Sequence, residues 1–109
     1  MFGIEYWLYP HIVIKHKMEF IYDEQKNQKL YKERGITFEN VIEAILDDRI
    51  LYDVAHPNKE KYPNQRLMIV DINSYPYAVP YLKNENGFVL KTIYPDRRYK
   101  KLLEKKDEK

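Results

Sequence analysis

Leu67-Met-Ile-Val-Asp-Ile72-Asn73-Ser74-Tyr75-Pro-Tyr-Ala-Val-Pro-Tyr-Leu82 decides the architecture of this chain. Two runs rich in apolar and β-branched residues flank Asn73-Ser74, a pair suited to a tight turn. They predict strands over Leu67–Ile72 and Tyr75–Leu82. Pro76 and Pro80 lack the N–H that a central ladder needs, so the second strand implies an edge or a bulge. Connections this short join antiparallel neighbours, which makes the sheet a meander.

Toward the C-terminus, Lys83-Asn-Glu-Asn-Gly87 supplies the next turn and Phe88–Tyr94 reads as the last strand. Its alternation puts Val89, Lys91 and Ile93 on one face and Phe88, Leu90, Thr92 and Tyr94 on the other. Pro95 breaks the strand, and Asp96 caps a terminal helix from about Arg97 to Lys105. Between Lys91 and Lys101 five basic residues (Lys91, Arg97, Arg98, Lys100, Lys101) face one acid, Asp96. That local excess suits a polyanion better than the net charge of +2 does.

Toward the N-terminus, Ile50–Ala55 alternates as a strand and is followed by the loop His56–Arg66, pinned by Pro57 and Pro63. Thr37 caps a helix whose Phe38, Val41, Ile42, Ile45 and Leu46 form one apolar stripe made to lie on a sheet. Asp23 caps a second helix over Glu24–Arg34, which Gly35 stops, and Glu19–Tyr22 is a short strand before it. Met18 opens this pattern. Residues 1–17 read as an N-terminal extension: an added edge strand around Ile12-Val13-Ile14, a partner-contacting segment, or sequence ahead of the true start. Residues 18–109 read as one domain. The fold expected is α+β, with helices grouped on one face of an antiparallel meander and a helix at the end.

The chain has no cysteine, which excludes disulfides, thiolate nucleophiles and Cys-ligated zinc. Three scattered histidines (His11, His16, His56) give no metal constellation, and no metal or cofactor is expected. No apolar run approaches the roughly 20 residues of a spanning helix, and no export signal is read, so a cytoplasmic protein without a membrane partner is expected. The eleven tyrosines accompany a composition poor in Ala and Gly and carry little weight as stacking residues.

Chemistry concentrates in two places. The loop offers His56, Asn58, Glu60, Lys61, Asn64, Gln65 and Arg66, a proton carrier among phosphate-binding groups. The last strand offers Lys91 and Tyr94, followed by Arg97. If the helix 38–46 covers the Phe88/Leu90 side, Lys91 projects from the other face, and Arg66 lies in the same sheet. Cations beside a proton carrier, with no protein nucleophile, suit attack of a ribose 2′-hydroxyl on its own phosphate.

Several segments bear a resemblance. Phe20-Ile-Tyr22-Asp23-Glu-Gln-Lys26-Asn27, Arg34-Gly35-Ile36-Thr37-Phe38-Glu39-Asn-Val41, His56-Pro57-Asn58, Tyr62-Pro63-Asn64-Gln65, and Leu90-Lys91-Thr92-Ile93 with Pro95 and Arg97 resemble the BrnT-type toxins of bacterial type II toxin–antitoxin systems. The resemblance spans residues 18–101 and implies a RelE/ParE-like fold with two N-terminal helices on one face. It implies a metal-independent ribonuclease that arrests translation and a cognate, DNA-binding antitoxin encoded beside it. It places basic catalytic positions at Arg66 and Arg97. The catalytic set expected is His56, Arg66, Lys91, Tyr94 and Arg97, with Lys61, Gln65, Arg98, Lys100 and Lys101 binding RNA. The family's acidic residue before the first meander strand is replaced by Asn64-Gln65, which leaves the base open between His56 and Glu60. A non-catalytic protein of the same fold, binding a partner or RNA as ParE-like relatives bind a target, is the alternative.

Overall fold

The computed structural model describes residues 10–107. It contains β1 (Pro10–Lys15), β2 (Met18–Asp23), α1 (Glu24–Arg34), α2 (Phe38–Leu46), β3 (Ile50–Ala55), β4 (Arg66–Ile72), β5 (Tyr75–Lys83), β6 (Gly87–Leu90) and β7 (Tyr94–Pro95). A 3-10 turn over Arg97–Tyr99 then leads into α3 (Lys100–Asp107).

The elements form where the sequence dictates. Asp23 Oδ1 accepts the N–H groups of Gln25 and Lys26, which starts α1, and Gly35 ends it at φ 68°. Thr37 and Asn40 cap each other's backbone at the start of α2. Asn73 and Ser74, at φ 55° and 64°, close the β4–β5 hairpin. His16 and Lys17, at φ 53° and 66°, close a second hairpin between β1 and β2. Residues 1–9 of the N-terminal extension lie outside the described residues.

The strand order is β1-β2-β6-β5-β4-β3, with β7 alongside β5. The architecture is α+β, but the sheet is mixed rather than a pure meander. Strands β3 to β6 are antiparallel neighbours in turn, whereas β2 lies parallel to β6. A parallel neighbour needs a long connection, and the chain from β2 to β6 supplies one by running through both helices and then β3 to β5. Gly87 makes the parallel contact close. A Cβ there would fall on the Glu19 backbone carbonyl, so only glycine fits.

The expected single strand Phe88–Tyr94 is in fact two pieces. Leu90 pairs with Tyr81, and Tyr94 pairs with Ala78, so β5 advances three residues while the facing segment advances four. One residue is extra, and Lys91-Thr92-Ile93 bulges out of the ladder. Pro80 is the cause. Its carbonyl accepts Lys91 N–H at 2.9 Å, so its missing N–H also faces this side and cannot complete the pair. Pro76 behaves alike, accepting Asp96 N–H at 3.0 Å. The bulge shifts the face pattern. Ile93 joins Leu90 in the helix-side core, not Val89 and Lys91, while Tyr94 packs on the other side.

On the helix side, Phe20, Tyr22, Phe38, Val41, Ile42, Met68, Val70, Val79, Leu90 and Ile93 form the main core. On the other side Leu67, Ile69 and Ala78 form a smaller one under Tyr94 and Tyr99. A polar lock joins β2, α1 and α2. The Tyr22 hydroxyl and the Asn27 amide donate to the two Glu39 carboxylate oxygens at 2.8 and 3.1 Å, and Asn27 Oδ1 accepts Phe38 N–H at 2.7 Å. Among the described residues no helix is long and apolar enough to cross a membrane.

Candidate functional site

The segment that bulges from the ladder forms one wall of a cavity of about 380 Å³. It is lined by Lys91, Thr92 and Tyr94 from the bulge and β7, Pro80 from β5, His56, Tyr62 and Gln65 from the loop after β3, and Lys26 from α1. Arg34 fixes the bulge from behind, its Nη1 donating to the Ile93 carbonyl at 2.7 Å. A strand break that would otherwise leave a carbonyl loose is thus tied to the end of α1.

The loop is shaped by its own side chains. Asn58 Oδ1 accepts Lys61 N–H at 3.2 Å, Tyr62 N–H returns to the Asn58 carbonyl at 2.9 Å, and His56 N–H meets the Gln65 carbonyl at 3.0 Å. Within it, His56, Tyr62 and Gln65 are half-buried and line the cavity, while Lys61, Asn64 and Glu60 face solvent. The rings of His56 and Tyr62 lie 4.6 Å apart, centre to centre. Asn58 N–H donates to His56 Nδ1 at 3.0 Å. A backbone N–H can only donate, so Nδ1 carries no proton in this arrangement and Nε2 carries the ring's proton.

Two groups in the cavity are displaced in opposite senses. Burial pushes the Lys91 ammonium below its ordinary range, toward the neutral amine. Burial, reinforced by the Asp96 carboxylate, pushes the Tyr94 phenol up and keeps it protonated. The site therefore holds an amine biased to release its proton beside a phenol biased to keep its own. Among the described residues no cluster of three or more His, Cys, Asp or Glu side chains is set to hold a metal ion.

Of the residues expected from the sequence, the fold brings His56, Gln65, Lys91 and Tyr94 together around this cavity. Arg66 is not among the lining residues. It shares a pleat face with Met68 and Val70, donates from Nε to Asp53 Oδ1 at 3.0 Å, and sits beside Tyr81, whose hydroxyl donates to Asp53 Oδ2 at 2.6 Å. Burial, and then the bond to Asp53, pushes that phenol up to about 12. Arg98 also lies outside the lining and is bound bidentately by Asp96, at 2.8 and 2.6 Å. Arg97, Lys100, Lys101 and Lys61 are exposed and do not line the cavity.

Three contributors went unread in the sequence: Lys26, Tyr62 and Thr92. Lys26 stands one residue before Asn27, whose role in the lock turns that side of α1 toward the bulge. Its signal was present in the Asp23-to-Asn27 segment but says nothing of a site until β6 is known to break. The chain matches no protein-family profile, no curated protein and no solved structure.

Proposed function

We propose that this chain is the toxin of a type II toxin–antitoxin pair, with a RelE/ParE-like fold, and that it cleaves RNA without a metal. The observation that supports this reading is the cavity at the strand break, where Lys26 from α1, His56, Tyr62 and Gln65 from the loop, Lys91 from the bulge and Tyr94 from β7 converge. RNA cleavage by internal attack needs a bound phosphate, a group to take the 2′-hydroxyl proton and a group to protonate the departing oxygen.

The lining provides each. Lys26 neutralises the phosphate. Lys91, biased toward its amine, accepts the proton of the 2′-hydroxyl as its oxygen attacks phosphorus. Tyr94, kept protonated by burial, passes its phenol proton to the 5′ oxygen as the P–O bond breaks, leaving a 2′,3′-cyclic phosphate and a 5′-hydroxyl, and the proton taken by Lys91 then restores the phenol. His56 Nε2–H donates a hydrogen bond to a non-bridging oxygen, and Tyr62 stacks against a base. Among the described residues no carboxylate lines the cavity, which fits the replacement of the expected acid by Asn64-Gln65. The antitoxin, encoded alongside, neutralises the activity.

The test is incubation of purified, folded protein with mRNA in EDTA, alone and with ribosomes. Cleavage to 5′-hydroxyl ends in either arm supports the reading, and intact RNA in both sinks it. One observation favours a non-catalytic binder of the same fold: two of the arginines, Arg66 and Arg98, are held by Asp53 and Asp96. When Arg97 and Lys91 are replaced by alanine, such a binder loses target affinity in parallel, whereas the nuclease loses activity while remaining folded and antitoxin-bound.

A further inference from the structure

The cavity does not stop at the bulge. A second, of about 200 Å³, is lined by Lys26, Lys29, Leu30, Glu33, Arg34 and Thr92. Lys26 and Thr92 line both, so the two form one groove that leaves the bulge and follows α1.

Three features make α1 a fixed rail. Its ends are set by Asp23 and Gly35, its inner side is anchored by Leu30 and Asn27, and its last turn is tied through Arg34 to the Ile93 carbonyl. Lys26 and Lys29 are exposed, three apart, with Cβ atoms roughly 5–6 Å from each other as on any helix face. Their long stems can spread to successive phosphates of one strand. Glu33, one turn beyond Lys29, lines the same second cavity, while Lys32, three residues beyond Lys29, lines a further cavity with Lys26 and Lys29 on the neighbouring side of α1. Arg97, Arg98, Lys100 and Lys101, the richer basic cluster in the sequence, line neither cavity, and Arg98 is already paired with Asp96.

We infer that the strand entering the cleft is single-stranded RNA that continues along α1, with Lys26 and Lys29 holding the phosphates beside the reacting one. This rests on the proposed ribonuclease reading and adds a direction to it: the flanking nucleotides run over the first helix, not over the basic C-terminal one.

The experiment uses the full chain and single-stranded RNA of mixed sequence, 2′-O-methylated throughout so that it binds without being cut. Lengths of two, four and eight nucleotides are titrated by fluorescence anisotropy over a range of salt. The wild type is expected to gain affinity from two to four nucleotides. The double variant Lys26→Ala/Lys29→Ala should lose that gain. Its slope of log affinity against log salt should flatten by about 1.4, since each phosphate neutralised on a single strand contributes about 0.7. Lys100→Ala/Lys101→Ala should match the wild type in both. Circular dichroism confirms that both variants fold, all four lysines being exposed. If the C-terminal double variant loses the length gain and the α1 variant keeps it, the path is wrong while RNA binding at the cleft stands. If the wild type binds no RNA of any length, the path and the ribonuclease reading fall together.

Discussion

Two polar regions flank α1, and they differ in what their groups face. In the lock, Tyr22, Asn27, Glu39 and the Phe38 N–H answer one another, and the result is a joint between a strand and two helices. In the cleft, His56, Gln65, Tyr94, Lys91 and Lys26 line a cavity. Both draw on segments that the proposed toxin reading uses. In the lock and the α2 cap, Tyr22, Asn27, Thr37, Phe38 and Glu39 hold the fold together, so those segments speak for architecture, and the proposed chemistry rests on the cleft.

The comparison can be broken hardest from the scaffold beneath both regions. Gly87→Ala drives a methyl into the Glu19 backbone where β2 meets β6. A cost of about 3 kcal/mol, at the upper end for overpacking, is expected, read as a loss of folded protein in denaturant titration. Lock and cleft should fail together.

Lys91→Ala is expected to lower RNA cleavage about 100-fold while the melting temperature stays near the wild type. With Lys91 as base, the rate rises with pH through its lowered value and then levels. A rate that instead falls over that range makes Lys91 a cation, not a base. Asn27→Ala is the mirror experiment. It removes an acceptor from Phe38 N–H and a donor from Glu39, and a loss of about 2 kcal/mol is expected from the unmet groups. Cleavage should persist at temperatures where the variant remains folded.

The lock also titrates on both sides. Burial raises Glu39, but the bonds from Tyr22 and Asn27 outweigh it and hold the carboxyl below its ordinary value. Its contribution is therefore complete above the unfolded carboxylate range, near pH 4, and is lost as pH falls through the folded value. Tyr22 is pushed up, first by burial and then by Glu39. Its contribution is complete below about pH 10 and is lost above it. Glu39→Gln should flatten the acid limb of stability without moving the rise of cleavage with pH. The smallest effect lies in the β1–β2 turn. Lys17 holds φ 66° in the β1–β2 turn, and Lys17→Gly should relieve about 1 kcal/mol of left-handed strain, visible as a modest rise in melting temperature.

Much of the fold was legible because local signals and tertiary structure agree. The helix over Glu24–Arg34 and its caps, the stripe from Phe38 to Leu46, and the Asn73-Ser74 hairpin all appear where the sequence places them. Two things were not legible. The sequence offers a strand around Ile12-Val13-Ile14, but His16-Lys17 is a poor signature for a turn with two positive φ values, so its pairing with β2 is hidden. The parallel entry of β2 beside β6 is a long-range pairing that no short window encodes. The site was half legible for the same reason. Pro80 announces a bulge, but nothing local breaks the strand that faces it, so the sequence alone places Ile93 on the wrong face and does not point to Lys26. Arg66 and Arg98 drew attention by charge, while the carboxylates that hold them, Asp53 and Asp96, were read as a strand residue and a cap.

The central claim is that the cleft acts on RNA and the lock only supports it. The most direct test measures RNA cleavage in EDTA and melting temperature on the same preparations of wild type, Lys91→Ala and Asn27→Ala. The account predicts that Lys91→Ala stays folded and loses cleavage about 100-fold, while Asn27→Ala melts roughly 10 °C lower and still cleaves in the cold. Wild-type cleavage unchanged in folded Lys91→Ala would contradict it.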